Sequence, residues 1–209
     1  MAYPTSISET VADGTVHVLG LAFAIPAGIL LLLHASQTGA PVTATALYVG
    51  SILLSFVASA IYHLLPFDRT RPFLGRIDHA AIYFKIAGTY TPLVVLIGSG
   101  FAYGILGVIW TLAVIGAVAK LWFWRLDARG SLALYLGMGW LSVLLVWPMW
   151  ERLPGTALGL IAAGGLIYSL GTIVYAHAGM RYQNAIWHGF VLTASAAFFV
   201  AIAISLQPV

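Results

Sequence analysis

Apolar residues in this chain fall in long runs, separated by short polar or Gly/Pro-rich punctuation. A helix needs about 20 apolar residues to cross a hydrocarbon core of roughly 30 Å. Seven runs meet that requirement: Thr15–His34, Thr43–Leu64, Asp78–Ile97, Tyr103–Phe123, Ser131–Trp150, Thr156–Ala176 and Ala185–Leu206. They take up most of the chain, so the connections are short and no room remains for a soluble domain. The pattern predicts an all-α fold, a polytopic bundle of seven transmembrane helices forming one domain over residues 1–209.

Composition removes the alternatives. Charged residues make up 7% of the chain, nine Lys/Arg and six Asp/Glu, while hydrophobic types reach 61%. Soluble proteins carry about 25% charge, so a soluble domain would lack a polar surface. Disorder fails for the opposite reason, an excess of apolar side chains. The isoelectric point is near 9.3, but the basic residues are scattered and form no phosphate-tracking stripe. Nucleic acid is therefore not an expected partner. There are no cysteines, which excludes disulfides, thiolate ligands and a Cys nucleophile. The N-terminus does not read as a cleavable signal, because Glu9 and Asp13 stand where a basic segment should be.

The basic residues orient the bundle. Arg69, Arg71, Arg76, Lys120, Arg125, Arg129 and Arg181 fall on one set of helix ends, with Lys85 two turns into the third span. Arg152 alone falls on the other. The positive-inside rule then places the N-terminus in the cytoplasm and the C-terminus outside. The expected location is the cell membrane, as a multi-pass protein, the inner membrane for a bacterial source. Trp122, Trp124, Trp147 and Trp150 near span ends suit an interfacial aromatic belt. Gly155 and Gly159, with Gly164 and Gly165, offer small-residue surfaces for close helix contact.

Ionisable groups at membrane depth are costly and mark functional candidates. Five of the six histidines fall at cytoplasmic helix ends: His17, His63, His79, His177 and His188. Asp78, Glu9 and Asp13 lie on the same side, which points to one site. Ser59 and His63 share a helical face at i, i+4, as do Asn184 and His188. Asp78 and His79 are adjacent and point about 100° apart, so one of the two faces the site. Two imidazoles plus an oxygen donor, with a position left open for water, is the donor set of a catalytic zinc. Each residue also has a plainer role. Asp78 suits a helix N-cap, and Ser59 can bond back to the carbonyl four residues earlier. His79 and His177 suit interfacial residues with wet tips, and His34 a headgroup-level residue. Glu9, Asp13 and His17, at i, i+4, i+8, read as a solvated juxtamembrane turn.

Ser59-x3-His63, Arg76-Ile77-Asp78-His79-Ala80-Ala81-Ile82-Tyr83, Ile86-Ala87-Gly88-Thr89-Tyr90-Thr91-Pro92 and Ile186-Trp187-His188 resemble the hemolysin III family. That family belongs with the progestin and adipoQ receptor (PAQR) membrane proteins. Glu9-x3-Asp13-Gly14-x2-His17-x2-Gly20 resembles its N-terminal signature, and the likeness covers nearly the whole chain. The resemblance implies a zinc ion near the cytoplasmic face, with His63 and His188 as ligands. It implies that Asp78 orients or deprotonates a water and that Ser59 hydrogen-bonds to it, the two catalytic candidates. The family pattern is His-x3-His at the last helix, and this chain has Asn184 at the first position. An amide oxygen is a poorer zinc ligand than a neutral imidazole. Three outcomes follow: Asn184 acts as a weak ligand or outer partner; His177, His79 or His17 moves in; or the site holds no metal. Retained but altered metal binding is the expectation. The activity implied is hydrolysis of a lipid amide, with membrane lipids and a lipid substrate as partners. The alternative is a non-enzymatic lytic or channel-like protein, or a regulator of membrane energetics and lipid homeostasis.

Overall fold

A computed structural model describes residues 6–65, 69–123, 128–177 and 179–206. Among them, every regular element is helical, and seven helices are long and apolar enough to cross a membrane. They are α1 (Ile7–Thr38), α2 (Val42–Leu64), α3 (Arg71–Ile97), α4 (Gly100–Val118), α5, α6 (Gly155–Ala176) and α7 (Gln183–Ser205). A π-helical turn, Ala119–Phe123, extends α4. Helix α5 runs in three pieces: Ala128–Trp140, a 3-10 stretch Leu141–Leu145, and Val146–Arg152. The chain is thus a multi-pass membrane protein. Trp124 and Arg125, assigned above to the belt and the basic loop, lie outside the described residues.

Two helices begin about two turns earlier than the apolar runs. Ser6 caps α1 by accepting the Glu9 backbone N–H at 3.3 Å, so Glu9, Asp13 and His17 lie within the helix. Proline in the first turn starts α3 at Arg71, which puts Asp78 in the helix interior. The N-cap assignment for Asp78 is therefore incorrect. A cut at charged residues ends a span too soon where the charge is buried and the helix simply continues. At the far ends, Gly39 and Gly98 close α1 and α3 in the left-handed conformation, with φ of 72° and 68°.

Helix α3 is the central element: 67% of its apolar window is buried, against 28% for α1. It packs on α2, α4, α5 and α7, while α1 bridges α2 and α7. Lipid tails are as apolar as leucine, so helix association depends on close packing rather than on water exclusion. Gly88 shows the consequence, since a Cβ there would fall 2.0 Å from Ser51 Oγ. Gly116 likewise lies under the Tyr83 ring and Gly164 under Phe198. Gly155 and Gly159, expected at a close contact, are exposed, and a methyl group at either would meet nothing within 4 Å. They lie on the outward face of α6. Helix α5 is held to α3 by hydroxyls: Tyr135 donates to the His79 carbonyl at 2.8 Å, and Tyr90 reaches those of Met138 and Gly139 at 2.9 and 2.7 Å. The last two carbonyls would otherwise accept from residues 142 and 143, and there the chain tightens to 3-10.

Candidate metal centre

Four helices bring their polar residues to the end of the bundle where α1 begins and α2 ends. Asp13 and His17 come from α1, Ser59 and His63 from α2, Asp78 from α3, and His188 from the second turn of α7. Asp13 is 1% exposed, and His63, Asp78, Asn184 and His188 are also buried. The solvated-turn assignment for Asp13 and His17 is overturned. These two residues head the buried stripe of α1, which continues through Gly20, Ala24, Gly28, Leu31 and Ala35. The three- and four-residue spacing of that stripe was present in the sequence. It was the signal that α1 begins early and that Asp13 points inward.

Three imidazoles surround the Asp13 carboxylate. His188 Nδ1 lies 2.6 Å from Asp13 Oδ1, His63 Nδ1 3.3 Å from Oδ2, and His17 Nδ1 3.6 Å from Oδ1. The His63 approach lacks hydrogen-bond alignment, and Oδ2 is a fully buried oxygen with no hydrogen-bond partner among the described residues. His17 Nδ1 is 2.8 Å from the Asp13 carbonyl, which can only accept, so that nitrogen carries the proton. In the neutral ring Nε2 is then the acceptor, and the Ser59 hydroxyl donates to it at 3.2 Å. The Ser59 oxygen also lies 3.5 Å from His188 Nε2. Asp78 closes the group, with Oδ2 4.0 Å from His63 Nε2. The rings of His17 and His63 lie 4.4 and 4.6 Å from that of His188.

The donor set tests whether a metal belongs here. One ligand atom each from Asp13, His63 and His188 fall within 4.8 Å of one another. Two imidazoles and a carboxylate form the protein half of a catalytic zinc site with an open position. A dication would also balance the buried carboxylate, whose Oδ2 has no hydrogen-bond partner among the described residues. The residues fit a metal. Asp13, not anticipated as a ligand, is placed where it could act as the third donor.

The other candidates take different places. Asn184 is buried in the first turn of α7, one turn before His188. His177 is the exposed C-cap of α6. His79 turns from the group: Nδ1 bonds the Gly75 carbonyl and Nε2 is 3.4 Å from the Tyr175 hydroxyl. His34 lies at the opposite end of α1, about 25 Å away at 1.5 Å per residue. Glu9 is not a free turn residue either. Its Oε1 accepts the Tyr182 backbone N–H at 3.0 Å, tying the start of α1 to the start of α7.

The group opens into a cavity of about 570 Å³, mostly apolar, lined by His17, Ser59, Asp78 and His188 at one end. Its wall includes Trp140, Val143 and Trp150, which are also exposed on the outside of the bundle. The cavity therefore has a lateral mouth beside α5.

Comparison with known proteins matches this architecture to one family. The family model for haemolysin-III related proteins covers residues 5–199. Hemolysin-3 of Bacillus cereus is 35% identical over 205 residues, 97% of this chain and 94% of that one. The hemolysin-3 homolog of Bacillus subtilis (strain 168) is 36% identical over 201 residues, 94% of each. The human monocyte to macrophage differentiation factor is 31% identical over 156 residues, 70% of this chain and 63% of that protein. A match over nearly the full length, spanning every residue of the polar centre, makes this chain a member of the haemolysin-III related family.

Proposed function

We propose that the protein is a membrane-embedded, metal-dependent hydrolase acting on a lipid amide. The observation that carries this is the Asp13–His63–His188 group, buried and opening into an apolar cavity. Asp13, His63 and His188 would hold the metal, and the ion proposed is zinc, which hydrolases bind through two His and a carboxylate with an open position. When bound, it polarises a carbonyl and brings the pKa of a water toward neutrality. Asp78 takes the proton of the attacking water and later returns it to the leaving amine. Ser59, already bonded to His17 and next to His188, orients that water. The cavity receives the acyl chain through the lateral mouth, and burial keeps bulk water from the site. The site lies toward the cytoplasmic leaflet, as the distribution of Arg and Lys supports.

The test is metal content after purification without added metal. About one zinc per chain is expected in wild type and little in His63→Ala. Absence of zinc from the wild type, or equal content in both, refutes the proposal. The relatives' name, Hemolysin-3, favours a second reading, a lytic or channel-like role. Conductance in a reconstituted bilayer that persists in a His63→Ala/His188→Ala double variant would select that reading.

A further inference from the structure

Two turns below the metal group lies a second tier of residues. Phe56 is seven positions from His63, Lys85 seven from Asp78, and Ser195 seven from His188. Each pair shares a helical face, offset by about 10 Å at 1.5 Å per residue. Tyr168 joins the tier from α6, its hydroxyl 2.8 Å from Ser195 Oγ. All four line the cavity.

Lys85 is the anomaly of this tier. It is 6% exposed, and its ammonium lies 5.2 Å from the Phe56 ring centroid and 5.1 Å from that of Tyr168. Among the described residues it has no ion pair and no side-chain hydrogen bond. Two ring faces stabilise a cation by a few kcal/mol at most, less than burying an unpaired ammonium costs. A retained cation at membrane depth needs an anion, and the space before it is the cavity.

The structure assigns Lys85 as the anchor for the acidic group of a single-tailed lipid, a carboxylate or a phosphate. The rest of the cavity suits the tail. It is apolar, bordered by Leu132, Leu136, Val143 and Leu158, and it opens to the hydrocarbon beside α5. Its volume of about 570 Å³ lies within the roughly 300–1,000 Å³ of pockets that take one small ligand, which suits a single acyl chain with a small headgroup. Phe56 and Tyr168 clamp the ammonium from two sides. This assignment does not depend on a metal being bound.

Quenching of the cavity tryptophans (Trp140, Trp150 and Trp187) by dibromostearate measures binding in phosphatidylcholine nanodiscs, with a zinc chelator present throughout. We expect the acid to bind at least tenfold more tightly than its methyl ester. Lys85→Met should abolish that preference while leaving ester affinity unchanged, which also reports an intact cavity. Lys85→Arg should retain it. Competition by hexadecyl phosphate against hexadecanoate identifies the headgroup: the stronger competitor names the natural acid. Equal binding of acid and ester to the wild type, or a preference that survives in Lys85→Met, overturns the assignment. Because the chelator removes any metal, neither result bears on the hydrolase proposal.

Discussion

Replacing Asp13 by Asn isolates the charge of the unexpected ligand while keeping its shape. The amide oxygen can still accept from His188 Nδ1, now 2.6 Å from Oδ1. The amide nitrogen takes the place of Oδ2, the bare oxygen 3.3 Å from His63 Nδ1. A donor group thus replaces a lone pair where the metal needs an acceptor. Losing a supporting partner of a metal site costs 10–100-fold in affinity, a lower bound if Asp13 binds the metal directly. Coulomb's law sets a larger scale: one negative charge about 4 Å from a dication, at an effective dielectric of 20, is worth about 8 kcal/mol, more than a thousandfold. Zinc affinity should therefore fall by at least about tenfold. Competition with a fluorescent chelator in detergent measures it, with His177→Ala as the unaffected control. Asn184→His, one turn before His188, should recover part of the loss in the double variant by adding an imidazole on the same face. A zinc affinity for Asp13→Asn within twofold of wild type would refute the assignment of Asp13 as the third donor.

Three other perturbations probe the surrounding structure. Zinc at 100 times its dissociation constant should stabilise wild type by about 2.7 kcal/mol through mass action; thermal unfolding should show that gain, and His188→Ala should lose it. Gly88→Ala should destabilise the bundle by roughly 1–3 kcal/mol, because its methyl group collides with Ser51. Gly159→Ala, in open space, should change the stability by less than about 0.5 kcal/mol, and equal effects at the two sites would contradict the packing described. Glu9→Ala removes the acceptor for the Tyr182 N–H. Hydrogen exchange at that amide should accelerate while the amides of α3 stay protected; unchanged exchange would show that Glu9 does not hold the α6–α7 connection.

Much of the polar centre was legible because burying a polar group in lipid is so costly that few such groups persist without a partner. Ser59, His63, Asp78 and His188 stood out for that reason, and the structure gathers all four. Asp13 and His17 were misplaced by the same reasoning. They sit at or before the start of the first apolar run, so they looked like the wet edge of a span when they are the head of its buried stripe. Lys85 shows the reverse case, a basic residue counted toward orientation that the fold buries between two aromatic rings.

Hydropathy alone determined the seven helices and their membrane setting, because the free energy of placing an apolar run in lipid depends on length and composition and hardly on neighbours. Which ionisable groups meet was a different matter. Asp13 and His188 are separated by 175 positions, yet their side chains touch at 2.6 Å. That contact depends on helix rotation and on close packing at positions such as Gly28 and Gly88, where the space left by a missing side chain sets how near two helices come. Periodicity could place Asp13 on a face, but only the packed bundle decided that the face looks onto His63 and His188.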